Sequence, residues 1–183
     1  VPFNITKEFL ELQENDKSYI KMLLRVEDVI AKCFFVKKVL IIEGDTEQVV
    51  LSETISRLPE NMKSEILSDW YFLRARGKAV IISLIKYLKA MKIDVYVMHD
   101  KDQGKKGAEK FNEHIRQALD NNSHLFVLEN CIEDVLGYEP PKSDKPYKAY
   151  CYINENWDKW EDINDEWRKI IQNIFNGGNK IKF

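Results

Sequence analysis

Four short runs of consecutive apolar residues punctuate the chain, and everything between them is patterned with charge. The first, VKKVLIIEG over 36–44, is a β-branched run closed by glycine, the pattern of a strand buried on both faces of a parallel sheet. DWYFLRA (69–75), IDVYVMHD (93–100) and HLFVLE (124–129) repeat it. Between them the period changes from continuous to helical. Thr46 is placed to cap a helix running from Glu47 to Arg57 and stopping near Pro59. KAVIISLIKYLKAMK (78–92) and, after Gly104 and Gly107, AEKFNEHIRQALD (108–120) read as two more helices, and NCIEDVLG as a short one closed by Gly137. Strands alternating with helices build parallel crossovers, so the fold class is α/β, with a parallel sheet of about four strands flanked by helices.

The flanks read differently. Residues 5–33 carry Phe9, Leu12, Ile20, Leu23, Leu24 and Ile30 among charges, which predicts amphipathic helices and a helical lead-in over 1–35. The α/β unit spans 36–138. Beyond it, EPPKSDKPYK interrupts the pattern, and INENWDKWEDINDEWRKIIQNIF predicts a helical appendage over 139–183, with Trp157, Trp160, Trp167, Ile170 and Ile174 as its apolar members. The closing GGNKIKF reads as a frayed tail.

At 183 residues and 44% hydrophobic content the chain suits one core and a smaller addition. Its net charge of −2 gives no overall field for a polyanion, so contact with nucleic acid must be local. Cys33, Cys131 and Cys151 are odd in number and widely spaced, which suits neither a disulfide framework nor a zinc site and points to a reducing, cytoplasmic setting. No apolar run is long enough to cross a bilayer. The chain begins Val-Pro-Phe-Asn without methionine, which suggests a piece of a longer protein.

Acids fall where this fold places ligands, at the C-terminal ends of strands. Glu43 and Glu47 follow the first strand, Asp100 and Asp102 the third, and Glu133 the fourth. Taken singly, each is an ordinary solvated cap or turn residue. Taken together they form a cluster whose mutual repulsion a divalent cation relieves. Oxygen-only ligands favour a hard ion, Mg²⁺ or Mn²⁺, and that chemistry suits phosphodiester hydrolysis. His99 is expected to face away from the cluster, because side chains alternate along a strand. His114 and His124 are too scattered to join it. Lys37, Lys38, Arg74, Arg76, Lys78, Lys101, Lys105 and Lys106 read either as a basic rim for a DNA backbone or as plain surface lysines and arginines. Helical spacing makes the tryptophans a hydrophobic face rather than a stacking platform.

VLIIEGDTEQVVL, ARGK (75–78), VYVMHDKD (95–102) and LENCIEDVLG (128–137) together resemble the Toprim domain, most closely that of the OLD (overcoming lysogenization defect) nucleases, over about residues 26–150. The glutamate four residues after the first distinguishes that branch from primases and type IA topoisomerases. The resemblance implies a metal-dependent endonuclease in which Glu43, Glu47, Asp100, Asp102 and Glu133 hold two ions, with Glu129 as a substitute for Glu133. It further implies a lysine that offsets charge on the phosphate, Lys145 or else Lys148. OLD proteins carry an ATPase half, and no phosphate-binding G-x-x-x-x-G-K-[S/T] loop exists here, so that part is absent from this sequence. Anti-phage defence of the Gabija type, a UvrD-like helicase partner and homo-oligomerisation through the full-length protein are implied in the same way. The alternatives are a catalytically silent Toprim module for oligomerisation or helicase binding, and a topoisomerase- or primase-type enzyme.

Overall fold

Strand β1, Lys38–Ile42, alternates perfectly: Leu40 and Ile42 point into one hydrophobic layer, Val39 and Ile41 into the other. A strand buried on both faces has to lie inside a sheet, and β1 does. In the computed structural model, which describes residues 32–102, 104, 107 and 109–176, β2 (Trp70–Arg74) pairs with it on one side and β3 (Asp94–Asp100) on the other. β4 (Leu125–Leu128) flanks β3, giving an all-parallel sheet in the order β2-β1-β3-β4. The chain leaves β1 toward β2 and then crosses back to β3. The C-terminal ends of β1 and β3 therefore border a crevice at the point where the winding reverses.

Among the described residues, seven α-helices cover the sheet. On the Leu40/Ile42 face, α1 (Asp45–Ser56), α2 (Glu60–Asp69) and α5 (Ile132–Leu136) supply Val50, Leu51, Ile55, Ile66 and Leu136. On the Val39/Ile41 face, α3 (Lys78–Ala90) and α4 (Phe111–Leu119) supply Ile81, Leu84, Ile85, Leu88 and Ile115. Two C-terminal helices, α6 (Lys145–Asn156) and α7 (Asp165–Asn176), complete the first layer. None of these helices is long and apolar enough to cross a membrane.

α6 and α7 share the sheet's own core, so residue 139 marks no boundary between cores. Ala149, Ile153, Trp157, Trp167, Ile171, Ile174 and Phe175 are all buried in the cluster that holds Leu40 and Met98. Trp167 Nε1 donates to Thr54 Oγ1 at 2.8 Å, and Phe175 meets Trp70 edge-on with ring centroids 5.1 Å apart. Arg57 closes the α1–α6 contact, donating to the Trp157 carbonyl at 2.8 Å and to Asn154 Oδ1 at 2.9 Å. The tryptophans are thus core residues: Trp157 and Trp167 are buried and Trp160 is partly so.

The structure corrects the sequence reading at several points. Helix α1 starts at Asp45 with Gly44 as its N-cap, so Thr46 is a buried residue of the first turn and not the cap. Helix α2 was not expected at all. The C-terminal stretch is two helices separated by a bend around Trp160–Asp162, not one continuous helix. Lys37 and Lys38 belong to the opposite edge of the sheet, because they begin β1: Lys37 pairs with Asp69 at 2.8 Å, and Lys38 Nζ lies over the Trp70 ring. The lead-in up to residue 31, Lys105, Lys106 and the GGNKIKF tail lie outside the described residues.

One glycine governs how the chain enters α3. Gly77 has φ 127° and ψ 154°, a region only glycine occupies without strain, and nothing lies within 4 Å of the position a Cβ would take. Gly77→Ala is expected to destabilise through the backbone alone, by about 1–3 kcal/mol. Thermal denaturation checks it; an unchanged midpoint would mean that the turn relaxes.

Candidate metal centre

Glu43 leaves β1 at the crevice, and the helix that follows brings Glu47 back to it. Glu47 is the third residue of α1; its Oε2 accepts the Gly44 N–H at 3.0 Å, forming half of a capping box. That bond holds a carboxylate only 6% exposed in a fixed rotamer. A Cβ on residue 44 would stand 3.1 Å from the same oxygen, so glycine there leaves Glu47 its room.

β3 outruns β1 in register: Ile42 pairs with Met98, and Asp100 lies two residues further on, opposite Leu128. The turn after it is tied down from three directions. The Lys101 N–H donates to the Leu128 carbonyl at 2.8 Å, and Asn112 Nδ2 donates to the Lys101 carbonyl at 2.7 Å. Asp102, left-handed at φ 53°, meets Lys78 Nζ at 2.8 Å. Lys78, the first residue of α3, is 5% exposed and also donates to Asn112 Oδ1 at 3.0 Å. It is therefore a buried member of the centre, whereas both sequence readings, a basic rim or plain surface, left it exposed.

From the other flank, α5 contributes Glu133, 1% exposed, with Oε1 3.2 Å from Lys145 Nζ at the start of α6. Glu129, the alternative to Glu133, is exposed and engaged by Lys101 Nζ at 2.7 Å. Of the two lysines expected at the phosphate, Lys145 stands at the cluster, and Lys148 is exposed on the next turn of α6.

Electrostatics bind the five acids into one unit. Asp100 is pushed up to about 8, first by burial and then by the charges of Glu47, Glu43, Asp102 and Glu133, so every other member acts on it. Burial also raises Glu43, against which Lys78 acts in the opposite sense, while Asp102 and Glu47 add to the rise. Glu47 is raised by burial and by Glu133, offset by its backbone hydrogen bonds and by Lys145.

Two buried carboxylate oxygens, Glu43 Oε2 and Asp100 Oδ1, have no hydrogen-bond partner, and Glu133 Oε1 has none beyond its ion pair with Lys145. An all-oxygen set with unsatisfied buried lone pairs fits a hard divalent cation. In their present positions no three His, Cys, Asp or Glu among the described residues enclose an ion, since Lys78 and Lys145 hold two of the acids.

His99 is fully buried on the other face of β3, as alternation requires. Its Nδ1–H donates to the Asp100 carbonyl at 2.7 Å, and burial lowers its pKa, so the ring is neutral and sealed from the crevice. Tyr138, which sequence reasoning passed over, stacks on Tyr152 with ring centroids 4.4 Å apart and has an unpartnered phenol. Burial and the nearby Glu133 charge raise its pKa.

Two similarities to known proteins bear on the chain's family. Residues 34–102 match the family model described as "Overcoming lysogenization defect protein-like, TOPRIM domain". An OLD nuclease of Thermus scotoductus is 25% identical over 152 residues, covering 74% of this chain and 28% of that protein. The present chain thus corresponds to little more than a quarter of that relative's length. Glu43, Glu47, Lys78, Asp100 and Asp102 all fall within the matched segment, so over residues 34–102 the chain is similar to the Toprim domain of the OLD-like family.

Proposed function

We propose that this domain is the catalytic part of a metal-dependent DNA endonuclease that hydrolyses phosphodiester bonds by direct attack of water. The observation that carries the reading is the pair of unpartnered buried oxygens of Glu43 and Asp100, with Glu47, Asp102 and Glu133 close enough for their charges to act on Asp100. Together these residues would hold Mg²⁺ or Mn²⁺, in one or two sites. Bound there, the ions supply Lewis acidity toward a phosphate oxygen and a more acidic water.

The protein's own groups do the rest. Lys145, partly exposed beside Glu133, presents its ammonium to an incoming phosphate and offsets charge that builds on the phosphoryl oxygens. Lys78 orients Asp102 through their 2.8 Å ion pair. His99, neutral and enclosed, takes no part in proton transfer. The likeness to an OLD nuclease supports the nuclease class. Anti-phage defence beside a UvrD-like helicase, and assembly of the longer protein into oligomers, extend the proposal by kinship alone.

Supercoiled plasmid incubated with Mg²⁺ or Mn²⁺ provides the test. Nicking is expected in the parent and is expected to vanish in Glu43→Ala, while Lys145→Ala slows it by about 10–1000-fold. Nicking unchanged in Glu43→Ala would remove the assigned centre. A parent that neither nicks nor binds Mn²⁺ in calorimetry would favour the silent module.

A further inference from the structure

Among the described residues only four large hydrophobic side chains stand well exposed, and two of them, Tyr147 at 68% and Tyr150 at 46%, occupy one face of α6. The opposite face of that helix is accounted for, since Ala149 and Ile153 are buried in the core. Folding leaves the tyrosines in water, where their rings have no hydrophobic reason to be.

Charge around them runs against that of the whole chain. Residues 142–154 contain three lysines, Lys142, Lys145 and Lys148, and one acid, Asp144, whereas the full sequence is net negative. Lys145 fixes the position of the surface relative to the metal centre, because its Nζ touches Glu133 at 3.2 Å. The two tyrosines follow it within the next turn and a half of the same helix. A strand whose phosphate lies at Lys145 would run its neighbouring nucleotides over Lys148, Tyr147 and Tyr150.

We infer that this face of α6 is a stacking platform for unpaired DNA bases beside the site of cleavage, so that the domain prefers single-stranded or locally opened DNA. The inference rests on the nuclease reading above and gives its substrate class. Aromatic rings interleaved with lysines suit single strands, whose bases expose their π-faces while the backbone follows the charges. In an intact duplex those faces are stacked on one another, and an exposed tyrosine meets only sugar and phosphate.

Binding measured in chelator, where no cleavage occurs, separates this inference from the nuclease reading. The probes are a fluorescein-labelled oligothymidylate and a blunt duplex of equal length, titrated with the full 183-residue chain. The parent is expected to bind the single strand more tightly. Tyr147→Ala/Tyr150→Ala is expected to weaken single-strand binding by roughly ten-fold or more and to leave the duplex nearly unchanged, and Tyr147→Phe/Tyr150→Phe, which keeps the rings, to retain it. Lys148→Gln is expected to reduce the salt slope by about one phosphate contact. Equal losses on both probes, no loss in the alanine pair, or no single-strand binding by the parent would each overturn the platform. Failure of plasmid nicking with intact single-strand binding would instead count against the catalytic assignment and leave the platform standing.

Discussion

Asp100→Asn is expected to make the metal-free protein more heat-stable while abolishing metal-dependent nicking. In the folded state Asp100 is buried against four other acids, which raises its pKa from 3.8 to about 8. A carboxyl group so raised contributes its full share of stability below the unfolded pKa and loses it as pH climbs through the folded value. The parent in chelator should therefore lose stability between about pH 4 and pH 8. Asparagine keeps the shape and removes the charge, so the variant's advantage grows across the same window. Relaxation of the crevice and entry of water limit the gain to about 1–3 kcal/mol at pH 8.5, roughly 2–10 °C in a domain of this size. Melting curves in EDTA at pH 5 and pH 8.5 measure it. A variant that is less stable at both pH values would show that Asp100 is a structural ligand of the fold and not a member of a repulsive cluster.

The second large effect concerns the C-terminal helices. A chain ending at Asp144 is expected not to fold cooperatively, because removing α6 and α7 uncovers the sheet layer that holds Leu40, Ile42, Tyr96 and Met98. Each large apolar side chain returned to water costs about 1.5–3 kcal/mol, and several together exceed the stability of an ordinary domain. Trp167→Ala is the graded form of the same test. It removes a fully buried indole and its 2.8 Å hydrogen bond to Thr54, and is expected to cost about 3–5 kcal/mol. Circular dichroism on heating reads both. A truncated chain melting within a few degrees of the parent would make the helices an appendage after all.

The strands were legible because each is a continuous apolar run with a sharp end, and a sheet buried on both faces admits no other pattern. Their order then brought Glu43, Asp100 and Glu133 to one crevice. Helix α2 was not legible: in ENMKSEILSD only Met62 and Ile66 are buried, too few for a helical stripe. Pro59 misled as well, since a proline that closes one helix can also cap the next, as it does here. The bend around Trp160 was hidden because Trp157 and Trp160 fit a continuous helical face by spacing alone.

Lys78 was the costliest omission at the site. A lysine in a sequence reads as surface, and only the Gly77 turn and the start of α3 aim this one inward. The signal available was the G-K pair directly after a strand, noticed as a family block and not as chemistry. Lys37 and Lys38 show the converse error, since proximity to a strand in sequence does not say which of its ends a residue occupies. Glu129 and Glu133 could be separated only by their partners, Lys101 for one and Lys145 for the other.

The buried Lys78 and the half-exposed Lys145 bear on how the acids are accommodated during folding. Small zinc modules stay unfolded until the ion arrives, because nothing else neutralises their ligands. Here Lys78 and Lys145 stand in as tethered counter-ions at opposite ends of the acidic crevice. The domain can therefore complete its fold with its own side chains balancing part of the acidic charge.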